Sequence, residues 1–239
     1  MSTISKASAT ILALGVAAGL TILGFLLAQA AIDFKTYDRS VTVKGLSEKE
    51  FEADIVIWPI QFLTASNDLG ELYTVLEKQT NSIQKHLRDS GIEASEISRP
   101  APSIIDKSAQ AYGNNGGVEF RYSATQTVTV YSKNIALARS TMNSLTQLGK
   151  QGIVFTGNDY GTSTEYLFTR LNEIKPGMIE EATTKAREVA LKFATDSQSS
   201  LGKIKRARQG QFSISARDNN NPHIKRIRVV STVEYYLSD

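Results

Sequence analysis

Residues 118–131 read Val118-Glu119-Phe120-Arg121-Tyr122-Ser123-Ala124-Thr125-Gln126-Thr127-Val128-Thr129-Val130-Tyr131. Val118, Phe120, Tyr122, Ala124, Val128 and Val130 fall on one face. Glu119, Arg121, Ser123, Thr125, Thr127 and Thr129 fall on the other. Successive side chains of a strand point to opposite sides, so this stretch predicts a long strand with one buried face and one solvated face. Such strands belong to antiparallel sheets, because parallel ones are covered on both sides.

Working outward, Gly113-Asn114-Asn115-Gly116-Gly117 precedes it as a turn and Ile92–Ile105 as strand material broken by Pro100 and Pro102. Before these, Leu69, Leu72, Tyr73, Leu76, Thr80, Ile83 and Leu87 recur at helical spacing, opened by a capping box at Asp68 and Glu71 and closed by Gly91. Ser40–Gly45 and Phe51–Leu63 read as two further strands. The apolar run in the second implies cover on both faces, and Pro59 implies a bulge or an edge position there.

After the long strand, Ile135–Leu148 reads as a helix. Gly152–Thr156 and Thr162–Thr169 read as strands around the turn at Gly157–Gly161. A third helix is predicted from Pro176, a residue favoured in a first turn, with Ile179, Ala182, Ala186, Val189 and Phe193 as its buried stripe. Two strands close the chain, over 203–216 and 224–237. The order predicts an α+β fold, with mostly antiparallel sheets packed against about three helices.

One N-terminal transmembrane helix precedes this domain. From Ala7 to Ile32 no residue is charged, with Lys6 before the run and Asp33 after it. The length suits a bilayer span, and a lone lysine on the short side favours that side remaining cytoplasmic. Residues 1–32 are therefore expected as an anchor in the inner membrane, 33–39 as a linker, and 40–239 as one domain in the periplasm. The alternative is a signal peptide cleaved at Ala28-Gln29-Ala30, leaving a soluble periplasmic domain. Gly15 and Gly19 form a G-x-x-x-G, the spacing that lets two membrane helices meet closely.

Composition removes most enzyme chemistry. The 239 residues include no cysteine and two histidines, His86 and His223. Thiolate metal sites, disulfides and cysteine nucleophiles are excluded. His86 reads as solvated beside Lys85 and Arg88, and His223 as an exposed turn residue after Asn219-Asn220-Asn221-Pro222. No activated serine pattern and no phosphate-binding glycine loop is present. The expectation is no catalytic residue, no metal and no cofactor. The net charge of +3 does not announce nucleic-acid binding.

Charge is uneven, however. Lys203, Lys205, Arg206, Arg208, Arg217, Lys225, Arg226 and Arg228 face a single acid, Asp218, within residues 203–228. Lys205, Arg206, Arg208, Arg226 and Arg228 are thus candidates for an anionic lipid head group, an acidic protein or a sister subunit. The other reading is a solvated strand edge guarded by charge against aggregation. Asp54 and Trp58, beside the apolar part of the second strand, are further candidates for a subunit contact.

Val41-Thr42-Val43-Lys44-Gly45, Phe51-Glu52-Ala53-Asp54-Ile55-Val56-Ile57, the Ala182, Ala186, Ala190 and Ala194 series leading to Leu201-Gly202-Lys203-Ile204, and Ile227-Arg228-Val229-Val230-Ser231-Thr232-Val233-Glu234-Tyr235 occur in this order. Together they resemble the SIMPL-domain family of bacterial envelope proteins, formerly a domain of unknown function. The resemblance implies an exported α+β domain without catalytic residues. It also implies self-assembly into homo-oligomers, ring-like or channel-like in some members, and an association with envelope or oxidative stress; a shared strand edge or face is the expected means of assembly. The expected function is a non-enzymatic, membrane-anchored, self-assembling envelope component. The alternative is a binding module that captures an anionic partner on the basic strands.

Overall fold

The computed structural model describes residues 6–37, 39–109, 119–156 and 163–238. The turns expected at Gly113–Gly117 and Gly157–Gly161, and Val118, lie outside the described residues. The chain is α+β with antiparallel strand pairs. It divides into two compact units. The first comprises Met1–Glu48, Pro176–Phe212 and Arg228–Asp239, and the second Lys49–Lys175 and Ser213–Ile227.

The second unit holds the strand that decided the fold. That strand is β5, Tyr122–Ser132, and it pairs antiparallel with β2, Ile55–Ser66, from Val56↔Ser132 to Ser66↔Tyr122 without a register break. Trp58↔Val130, Ile60↔Val128 and Phe62↔Gln126 face each other on the buried side. Gln126 is 4% exposed, so the inward face includes one amide. Its Nε2 donates to the Pro100 carbonyl at 2.7 Å. A buried amide must be paired in this way or it costs stability.

Helix α2, Leu69–Asp89, buries Leu72, Leu76, Thr80, Ile83 and Leu87 of the predicted stripe, whereas Leu69 and Tyr73 are 41% and 50% exposed. The same core takes in the buried face of the sheet. Asp68 caps the helix by accepting from the Glu71 amide at 2.8 Å. The reciprocal half of the predicted box is relayed, because the Ser66 hydroxyl donates to the Glu71 carboxylate while accepting from the Asp68 amide. Gly91 takes φ +99°, the left-handed region that favours glycine after a helix.

The surrounding strands are shorter than predicted. β3, Ile97–Ser98, and β4, Ser103–Asp106, pair with β5. β6, Val154–Phe155, and β7, Glu165–Leu167, pair with β2. Pro59 sits between those last two patches, opposite neither, so its missing N–H costs no ladder bond there. It is a local edge without a bulge. Ile57, Pro59 and Gln61 are half-buried, so the cover expected on both faces is partial. The predicted single helix over 135–148 is two, α3 Ile135–Ser144 and α4 Thr146–Gly149.

The first unit contains α1, Lys6–Tyr37, which is helical through most of the expected linker. It also holds most of β1, Ser40–Glu52, of α5, Leu171–Asp196, and of β10, Ile224–Ser238, together with β8, Ser200–Gln209. The sheet order is β1-β10-β8, and a short strand β9, Ser213–Ala216, pairs with β10.

α5 corrects two expectations. It begins five residues before Pro176. A proline at the sixth position lies just past the unpaired first N–H groups, so it removes one bond, to the Asn172 carbonyl, and crowds that carbonyl, which the rest of the helix tolerates. The buried stripe is Met178, Ala182, Ala186, Ala190 and Ala194, whereas Val189 and Phe193 are 41% and 55% exposed. The cause is Gly45. A Cβ there would lie 2.5 Å from the Ala186 nitrogen and closer still to the Ala182 carbonyl oxygen. Strand and helix meet backbone to backbone at Ala182 and Ala186, where the inward side chains are alanine. Ser47, fully buried two residues on, donates to Glu181 at 2.9 Å.

Candidate functional site

Four features carry chemistry or contact. The first is α1. Its Thr10–Ile32 stretch has mean hydropathy 2.5 and none of it is buried, so the helix is long and apolar enough to cross a membrane. A signal sequence passes the same test. Gly15 and Gly19 are exposed, and a Cβ added at either meets no atom within 4 Å.

The second is the basic run near the C-terminus, which folding distributes. Lys203, Lys205, Arg206, Arg208 and Arg228 belong to the first unit, and Arg217, Lys225 and Arg226 to the second. Acids, Asp218 within the run and others remote from it, meet several of them. Lys205 lies 3.5 Å from Glu234, Arg228 lies 3.7 Å from Glu48, and Arg217 contacts Asp218 at 2.9 Å and Glu50 at 3.8 Å. Arg226 donates to the Arg217 carbonyl at 3.4 Å. The Ser40 hydroxyl on Glu234 lowers that carboxyl's pKa, helped by the charges of Lys205 and Arg206. Arg206 and Arg208 stand exposed on β8. The excess read linearly is therefore reduced, and these two guanidinium groups are its clearest remnant.

The third is Asp54. It accepts from the Thr169 amide, the Thr169 hydroxyl and the Arg170 guanidinium at 3.0–3.3 Å. Desolvation pushes its carboxyl up, but these hydrogen bonds outweigh it and hold the pKa below the ordinary value. Asp54 thereby fixes the chain just before Leu171, where α5 begins. Trp58, expected at a subunit contact, is 5% exposed and packs into the core of its own unit. The apolar run that marked it as a contact instead fills that core.

The fourth is one that sequence reasoning missed. His223, expected in an exposed turn, is 9% exposed. Its carbonyl accepts from the Ala53 amide at 2.8 Å, which draws the turn inward. Its Nε2 lies 3.0 Å from the Arg139 guanidinium. A guanidinium only donates, so Nε2 accepts and the proton sits on Nδ1. Nδ1 is buried without a partner among the described residues. The Tyr166 ring packs at 5.9 Å. Burial first, and the Arg139 charge second, push the imidazole pKa below 6.5. Glu52 and Asp218 oppose that shift, and Arg217 adds to it. His86, expected to be solvated, is half-buried and bonds the Ser144 hydroxyl at 2.8 Å.

The sign of the His223 effect follows. The folded state binds the proton more weakly than the unfolded chain, so stability falls as pH drops below about 6.5 and is unaffected by this group above it. His223→Gln is expected to flatten that acid dependence, read as thermal midpoint against pH between neutral and mildly acid buffer. A slope unchanged by the substitution would assign the acid sensitivity elsewhere.

A groove of about 370 Å³ in the second unit is lined by Tyr73, Thr80, Arg99, Pro100 and Gln126, among others. Among the described residues no group of three or more His, Asp or Glu side chains could hold a metal ion. The chain matches the family described as SIMPL, protein of unknown function (DUF541), over residues 41–232.

The chain belongs to the SIMPL family.

The matched residues begin after α1, at the second residue of β1, and end within β10. The SIMPL domain thus spans the strands and helices of both units, with the apolar helix preceding it. Among curated proteins none matches the chain.

Proposed function

We propose that this SIMPL protein is a non-enzymatic envelope component. It is anchored by α1 in the inner membrane, carries its domain in the periplasm, and assembles with copies of itself. The observation that carries the reading is the wholly unburied apolar helix joined to a SIMPL domain. An isolated polar domain has no use for a 23-residue apolar helix on its surface. Bilayer insertion removes that surface from water.

β8 lies at the end of the sheet order, and its exposed Lys203, Arg206 and Arg208 oppose pairing with an identical edge. β1 is the other end of that order, and the reading places the self-contact on α1, where Gly15 and Gly19 let two helices approach. A role in envelope or oxidative stress is part of the same proposal and rests on the family alone.

The test is the molar mass of the detergent-solubilised chain by light scattering. A discrete oligomer is expected, reduced to smaller species by Gly15→Ile with Gly19→Ile. A monomer in the unsubstituted chain would overturn self-assembly. An oligomer indifferent to both substitutions would move the contact to the domain.

A second reading, capture of an anionic partner, is favoured by the exposed Arg206 and Arg208. It predicts binding that weakens with salt and disappears on Arg206→Glu with Arg208→Glu.

A further inference from the structure

We infer that the cleft between α5 and β8 in the first unit binds an organic phosphomonoester, with Arg187 and Lys203 holding the phosphate and the Thr183 and Thr184 hydroxyls completing its shell. The inference needs neither the anchor reading of α1 nor Arg206 and Arg208.

The cleft has a volume of about 480 Å³, within the usual range for a small-molecule site. α5 supplies Thr183, Thr184 and Arg187 to one wall, and β8 supplies Lys203 and Ile204 to the other. Three and four residues apart, the α5 groups share one face of the helix. Tyr235 of β10, 3% exposed, also lines the cleft and joins it to the buried core beneath.

An irregularity in β8 brings both of its side chains to this cleft. Neighbouring residues of a regular strand point to opposite faces. Here Tyr235 pairs with Ile204 and Leu237 with Leu201, so β8 spends three residues where β10 spends two. The extra residue is a bulge, the device that turns a side chain out of alternation. Lys203 thereby shares a side with Ile204. Gly202 belongs to the same bulge, and a Cβ there would lie 3.0 Å from the Tyr236 carbonyl oxygen. Arg206 and Arg208 pair instead with Glu234 and Thr232, on the face of the sheet opposite to Tyr235. Their charge belongs to a different surface.

The polar groups of the two walls are unspent. Thr21, Thr74, Thr80, Thr141 and Thr195 each donate to the carbonyl four residues back in their own helices, a common resting place for a helical hydroxyl. Among the described residues Thr183 and Thr184 make no such bond, and Arg187 and Lys203 form no ion pair. Glu181 is engaged by Lys185 and Ser47. Glu180, on the same side of α5 but two turns before Arg187, is not part of the cleft wall.

Two cations and two hydroxyls across one cleft suit a group with two charges and several acceptor oxygens. A phosphomonoester has both, whereas a carboxylate has one charge and two oxygens. A guanidinium grips two phosphate oxygens at once, and a lysine adds a point charge. Ile204, 50% exposed, offers the organic part of the ligand an apolar contact. A soluble phosphomonoester and a phosphatidic acid head group share this chemistry.

The test titrates the full chain, in uncharged detergent micelles, with phenyl phosphate by calorimetry. Saturable binding is expected, weakening as salt rises. Arg187→Gln and Lys203→Gln are each expected to weaken it about tenfold. Thr183→Val with Thr184→Val is expected to weaken it by about threefold to tenfold. Arg206→Gln with Arg208→Gln is expected to retain it, and benzoate to bind about tenfold more weakly than phenyl phosphate. All six positions are exposed or half-buried, so unchanged thermal midpoints are expected and separate lost binding from lost folding.

Binding that survives both Arg187→Gln and Lys203→Gln would overturn the inference. Its loss on Arg206→Gln with Arg208→Gln instead would move the anion to the opposite face of the sheet and leave capture by those two arginines standing. Equal affinity for benzoate and phenyl phosphate would overturn the phosphate assignment. If phenyl phosphate gives no response, dihexanoyl phosphatidic acid takes its place as the probe. Binding of that lipid that Arg187→Gln removes would uphold the site and make its ligand a head group. Silence with both probes would overturn the inference.

Discussion

Gly45→Ala is expected to destabilise the first unit by about 3 kcal/mol, near the top of the range for a forced overpacking. The added methyl would enter the backbone of α5 at Ala182 and Ala186, not a flexible side chain that can swing aside. Strand and helix must separate along the whole line where they touch. The buried Val43, Ala186, Ala190, Val233 and Tyr235 lose their packing together. The Ser47–Glu181 hydrogen bond beside them is strained as well. For a unit near 100 residues, about 3 kcal/mol lowers the melting midpoint by more than ~10 °C. Gly177→Ala is the matched control. It lies in the same helix, its added Cβ meets nothing within 4 Å, and it is expected to stabilise by up to about 1 kcal/mol through helix propensity. Thermal unfolding by circular dichroism separates the two. Equal midpoints for the two variants would show that β1 and α5 do not meet as closely as described.

That meeting of β1 and α5 also marks where the sequence stops being legible. Period alone finds β5 and α2, because each buries one face of its own pattern and its partners need only be apolar. The α5 stripe escapes such reading. Hydrophobic size points to Val189 and Phe193, yet a helix pressed on a glycine strand needs the smallest side chains inward. Pro176 misplaces the helix start for another reason, since the first-turn preference of proline is a tendency that the packing of the rest of α5 overrides. His223 and the basic run fail differently. The burial of His223 depends on Ala53 and Arg139, and the pairing of Lys205 and Arg228 on Glu234 and Glu48. These partners are remote in sequence, and no local pattern announces them. Asp54 lies between the two cases. Its place before an apolar strand is visible in the sequence, but the Thr169 and Arg170 groups that use up its oxygens are not.

Phe62→Ala should have the largest effect in the second unit, about 3–5 kcal/mol. Phe62 is fully buried in β2, with Gln126 of β5 opposite on one side and Phe155 of β6 on the other. Truncation leaves a cavity between paired strands. Register holds those strands in place, so the site cannot collapse to fill it. The unpaired space also lies beside the Gln126 amide, whose bond to Pro100 relies on a dry, filled surround. The neighbouring Leu63 points to the opposite face and is 36% exposed. Leu63→Ala is expected to cost about 1 kcal/mol or less, since little area returns to water. Trp58 is the single tryptophan and sits in the same core, so its fluorescence reads this unit directly. In urea, with a slope of about 1–3 kcal/mol per molar, Phe62→Ala shifts the midpoint down by roughly 1 M or more. Leu63→Ala shifts it little. Similar shifts for the two would mean that the side chains of β2 do not alternate between core and surface, and the β2–β5 register would have to be redrawn by one residue.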